Sequence, residues 1–118
     1  MKIINLETFL AMPAGTVFCK YSEVGNFGDI CIKESNVGIN DFCYTSISDA
    51  LEASGTTELF DILLKQPNGE EIEMDFSCSS RDGLFDKDQL FSVWSLNDMF
   101  QFQAKLALSC DKVWVKTA

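Results

Sequence analysis

The chain has 118 residues, 47% of them hydrophobic and 23% charged, enough to bury one core and too short for two ordinary domains. Acidic residues outnumber basic ones 18 to 9, giving a formal net charge of -9, and there is no histidine. That absence excludes Ser-His and Cys-His nucleophilic machinery and every His-ligated metal centre within the chain, and the acidic balance opposes a nucleic-acid or anionic-membrane surface.

In chain order, Asn5-Leu6-Glu7-Thr8 opens a short helix with Asn5 as N-cap. Leu6, Phe9 and Leu10 give it one apolar face, and Pro13 and Gly15 end it. Residues 16–21 (TVFCKY), 29–34 (DICIKE) and 42–47 (FCYTSI) read as strands, joined by turns at Gly25-Asn26-Phe27-Gly28 and Ser35-Asn36-Val37-Gly38. Short turns between neighbours predict an antiparallel meander. Residues 48–54 read as one turn or a short helix and 57–65 as a better helix, with Thr57 at its cap and an apolar stripe of Leu59, Phe60, Leu63 and Leu64. After the turn Pro67-Asn68-Gly69, residues 71–78 alternate, with Ile72, Met74 and Phe76 on one side and Glu73, Asp75 and Ser77 on the other. That period of two predicts a half-buried strand with an acidic outer face.

Residues 79–88 form a polar loop. Residues 89–94 (QLFSVW) then read as a strand in preference to a helix starting at Asp86, because Ser95-Leu96-Asn97-Asp98 supplies a capping box further on. From there a helix runs to about Ser109, and Val113-Trp114-Val115 offers a last strand or a sticky end. The sum is an α+β chain, one domain over residues 1–118, with an antiparallel sheet of about five strands and two to three helices.

The opening Met1–Glu7 lacks the apolar stretch of a signal peptide, and no apolar run reaches the ~20 residues that span a bilayer, so a cytoplasmic chain without a membrane partner is expected. Five cysteines, Cys19, Cys31, Cys43, Cys78 and Cys110, with no CxxC pair, fit neither a disulfide framework nor a zinc knuckle and are expected as small buried hydrophobes. The spacing of twelve between Cys19, Cys31 and Cys43 would line them up across three successive strands.

All of the net charge lies in residues 41–88, where twelve acids face three bases, while the remaining residues balance six against six. Such a field steers toward a basic protein surface. The loop Ser80–Asp88 holds the only arginine, Arg81, with Asp82, Phe85, Asp86 and Asp88. Its three aspartates are hard oxygen ligands, yet their spacing is not that of an EF-hand. A turn at Asp82-Gly83, a cap at Asp86 and an Arg81–carboxylate pair account for the residues without a metal, and no cofactor is expected. As a protein-binding surface, the candidates are Glu70, Glu71, Glu73, Asp75, Asp82, Asp86 and Asp88 for charge and Arg81, Phe85 and Trp94 for anchoring. The sequence offers no catalytic constellation. An alternative small-molecule pocket would draw on Lys20, Tyr21, Phe27 and Lys33.

Three stretches, Phe9–Phe18 (FLAMPAGTVF), Phe27–Lys33 (FGDICIK) and Arg81–Trp94 (RDGLFDKDQLFSVW), together resemble a family of small acidic proteins encoded by bacteriophages and prophages. The resemblance implies an accessory protein acting in a bacterial cytoplasm and brings no enzymatic activity with it. The expectation is a module that modulates or inhibits a host protein with a basic surface, such as a defence nuclease complex. The alternatives are a sponge for a host signalling nucleotide, or a virion or assembly component that self-associates through an apolar face or the tail.

Overall fold

A computed structural model describes residues 1–51, 56–64 and 68–117. Among them the elements run β1 (Lys2–Asn5), α1 (Leu6–Leu10), β2 (Val17–Tyr21), β3 (Cys31–Val37), β4 (Asp41–Ser46), α2 (Thr56–Leu64), β5 (Ser80–Arg81), β6 (Leu90–Val93) and α3 (Leu96–Thr117). The strands form one antiparallel six-stranded sheet in the order β1-β6-β2-β3-β4-β5. The protein is therefore α+β, with the meander β2-β3-β4 at the centre of the sheet.

Local chemistry sets the helix starts. The Asn5 side chain accepts the Thr8 backbone N–H at 2.9 Å, capping α1 directly at the end of β1. At α3 a reciprocal box forms: Ser95 N–H donates to Asp98 Oδ2 at 2.9 Å, and Asp98 N–H donates to Ser95 Oγ at 3.0 Å.

Strand alternation splits the sheet into two unlike faces. One carries Phe18, Phe42 and Phe91, and α1 drives Phe9 among them. The Phe9 and Phe91 rings stack at 4.0 Å, while Phe18 and Phe42 meet Phe9 edge-on at 4.7 and 4.9 Å. These four rings, all essentially buried, are the centre of the core. Lys33 points into the same face. Its ammonium is buried, donates to the Met12 carbonyl at 2.7 Å and lies 5.8 Å from the Phe9 ring centroid, so it ties the chain leaving α1 to β3. Burial lowers the Lys33 pKa.

Several expectations are corrected. The first residues pair as β1 with β6, a strand that the helix signal at Asn5 overshadowed. Residues 71–78 make no strand. Asp75 N–H bonds the Ala50 carbonyl and Asp75 Oδ1 takes both Ser77 N–H and Ser77 Oγ–H, so a turn interrupts the alternating pattern. The edge of β4 is taken instead by the two-residue β5. Of the turn or short helix expected over 48–54, residues 48–51 are turn and irregular chain, and 52–54 lie outside the described residues. Within α2, Phe60 and Leu64 of the expected apolar stripe are exposed. The last helix does not stop at Ser109. It continues to Thr117 and absorbs Val113-Trp114-Val115, because no glycine or proline interrupts it. The three evenly spaced cysteines do not line up: Phe18 is the register partner of Cys31, which puts Cys19 on the opposite face, and Cys43 also alternates away from the Phe42 face. All five thiols are free.

Candidate functional site

The chain leaves β5 at one edge of the sheet and must reach β6 on the far side of β2. The loop 82–89 makes that crossing, and Asp41, the first residue of β4, anchors it. Asp41 Oδ1 accepts Phe42 N–H and Gly83 N–H, each at 2.9 Å, and Oδ2 accepts Arg81 Nε–H. Its side chain is 1% exposed. The Arg81 hydrogen bond, followed by the N–H groups of Gly83 and Phe42, holds the Asp41 carboxyl below the usual carboxylate range against the opposing effect of burial. Gly83 sits at φ +66°, a backbone that an L side chain resists, and this lets its N–H turn inward to the carboxylate.

Arg81 is thereby fixed at its Nε while the side chain stays 56% exposed. The guanidinium carbon lies 5.9 Å from the ring centroid of Phe85. Phe85 is half-exposed and holds φ 52°, the only non-glycine residue described in the left-handed region. That conformation costs about 1–2 kcal/mol for a residue with a Cβ. A strained backbone presenting an exposed ring beside an arginine is the kind of feature that marks recognition surfaces. Two of the three anchors expected from sequence, Arg81 and Phe85, are thus brought together.

The charged candidates divide. Asp82 is inside: Lys20 Nζ donates to its Oδ1 at 2.5 Å, and the carboxylate side chain is 10% exposed. Asp75 is used in its own turn. Glu70, Glu71, Glu73, Asp86 and Asp88 are exposed and join no ion pair among the described residues. Asp86 caps its own turn, accepting Asp88 N–H at 3.0 Å. The three loop aspartates therefore do not converge, and no group of three His, Cys, Asp or Glu among the described residues is placed to hold a metal ion. Trp94 lies away from this loop. It follows β6, bonds Val17 O through its N–H and packs edge-on against Phe102 of α3 at 5.6 Å.

Of the residues of the alternative pocket, Tyr21 and Phe27 meet beside Lys20, while Lys33 serves the core face. Lys33 is buried beneath the end of α1, and Tyr21 packs on Phe27 at 5.2 Å. Lys20 alone lines a cavity of about 270 Å³, together with Asp29, Cys31, Tyr44, Ser46 and Asp49. Two carboxylates and a lysine already bridged to Asp82 give that lining a bias toward cations over anions. Burial, then the nearby Asp29, pushes the Cys19 thiol up, and burial raises Cys31 to about 11, so neither is poised as a nucleophile.

Sequence reasoning missed Asp41, the residue that organises the loop. Nothing local marks it, since its partners Arg81 and Gly83 are about forty positions away. It also missed the apolar groove of about 440 Å³ between α3 and the sheet face opposite the core, lined by Val17, Ile32, Ile47, Leu96, Phe100 and Leu106 among others. No helix among the described residues is long and apolar enough to cross a membrane. Comparison of the chain with protein-family models, with curated proteins and with solved structures gives no match.

Proposed function

We propose that this chain is a non-enzymatic accessory binding protein of the bacteriophage type, which docks on a basic surface of a bacterial host protein and modulates or inhibits it by occupancy. The observation that carries the reading is the loop around β5. Arg81 and Phe85 form an exposed, pre-set anchor locked to the sheet by Asp41. On either side of it along the chain, Glu70, Glu71, Glu73, Asp86 and Asp88 are exposed carboxylates outside any ion pair among the described residues. Carboxylates left in water steer a basic partner and set the association rate, while an ordered arginine–aromatic pair supplies affinity. A surface built to hold nucleic acid, such as the channel of a defence nuclease, has the complementary sign.

The test is capture from bacterial lysate with the tagged chain at low and at high salt, read by mass spectrometry. The expected result is one stoichiometric host protein, lost at high salt. It is also lost with E70Q/E71Q/E73Q and with Phe85→Gly. Undiminished capture by the charge-neutral variant, or no captured protein at all, overturns the proposal.

A further inference from the structure

The helix α3 spans 22 residues, roughly 33 Å at 1.5 Å per residue. In its first three turns Leu96, Met99, Phe100 and Leu106 line the groove against the sheet. Even there Phe100 is 58% and Leu106 52% exposed. A helix of this length draws its stability in proteins from packing of its apolar face, so one that remains this exposed calls for a surface to pack on.

The pattern of that face specifies the surface. Leu96, Phe100, Gln103, Ala107, Cys110 and Trp114 recur at alternating spacings of four and three, a seam with the period of a coiled coil. The seam holds no charged residue. Lys105, Lys112 and Lys116 fall on the opposite stripe of the helix.

Charge chooses the occupant and its direction. The chain carries -9, yet α3 holds three lysines against two aspartates, and from Lys105 onward three lysines against one. The rest of the protein is therefore strongly acidic, and the C-terminal half of α3 is its basic extremity. Two copies in parallel would set two acidic bodies side by side. Two copies antiparallel set each basic extremity beside the other copy's acidic body. The antiparallel register also matches sizes, pairing Phe100 with Cys110 and Gln103 with the small Ala107, and it closes as an isologous pair. Phe100 and Trp114, 58% and 72% exposed, are the large rings of the seam and contribute their exposed area toward the ~800 Å² that each partner gives a standard interface.

We infer that α3 is the interface of a symmetric dimer, in which the α3 of a second copy packs antiparallel along this seam and lays its C-terminal half over the apolar groove. The interface does not include the acidic loop residues, so its test is separate from that of the proposed function.

The experiment is light scattering or sedimentation of the full chain, with Phe100→Lys and, separately, Trp114→Lys as variants from the two ends of the seam. The expected mass is twice the 13.2 kDa of the chain. Each variant should fall to a single-copy mass with its far-ultraviolet spectrum retained, and E70Q/E71Q/E73Q should remain dimeric. A monomeric wild-type chain, a mass above two copies, or a dimer unchanged in both seam variants overturns the inference. Mild oxidation tests the direction. Rapid disulfide linkage of two copies through Cys110 would mean a parallel pair and overturn the antiparallel arrangement, in which Cys110 lies level with Phe100.

Discussion

Asp41 and Arg81, forty residues apart, meet in an ion pair whose acidic half is 1% exposed and whose basic half is 56% exposed. The pair converts the start of a central strand into the fixed point of a surface loop. The two ends are not equivalent. Removing Arg81 leaves Asp41 with two N–H donors, whereas removing Asp41 leaves Gly83 N–H and Phe42 N–H without their acceptor. Asp41→Ala should therefore lower the urea midpoint more than Arg81→Ala. Equal midpoints would show that the pair, and not the carboxylate, holds the loop.

Acid should destabilise the protein in a defined window. Asp98 is held down to about 2, first by the N-terminal ammonium, 2.8 Å from its Oδ2, and then by Ser95 N–H. Asp41 is lowered in the same direction. Unfolded, both carboxyls titrate near 4, so between the two values the unfolded chain binds more protons and falling pH favours it. The Asp98 contribution is complete above about pH 5 and is lost as pH falls from about 4 toward 2, and that of Asp41 is likewise lost on acidification. Urea midpoints at neutral and acid pH should differ less in Asp98→Asn than in the wild type.

Phe9 is the hinge of the core. It touches three other aromatic rings from a helix of only five residues. Phe9→Ala should cost about 3–5 kcal/mol, the range for emptying a buried aromatic site. Denaturant unfolding reads this directly, and a loss under ~1 kcal/mol would mean that α1 does not close the core.

Loop strain and loop function should separate at Phe85. Phe85→Gly relieves a left-handed backbone that costs about 1–2 kcal/mol, so stability should hold or rise. Capture of the basic partner should fall, because the ring beside Arg81 is gone. By contrast, Gly83→Ala introduces strain at φ +66° and should cost about 1 kcal/mol.

Thiol reactivity should follow burial. Cys31, raised to about 11, and Cys19 should be the last to react with iodoacetamide in the native protein, as followed by intact mass. Early labelling of Cys31 would show that the aromatic face opens.

What the sequence determined by itself is what short-range chemistry decides. The Asn5 cap, the Ser95–Asp98 box, the strands from Val17 to Ser46 and the Leu90–Val93 strand were legible, because caps, turns and alternation act over a few residues. The exposed acids and the pairing of Arg81 with a carboxylate were legible in kind. Tertiary structure decided the rest. β1 became a strand because the edge of β6 was there to pair with it. Residues 71–78 failed to become one although they alternate, because Asp75 closed a local turn and a two-residue strand took the edge of β4. Asp41 became the centre of the loop through partners forty positions away, and α3 acquired an open groove only by lying against the back of the sheet. Such choices depend on which distant groups arrive at the same place, and a local pattern carries no record of that.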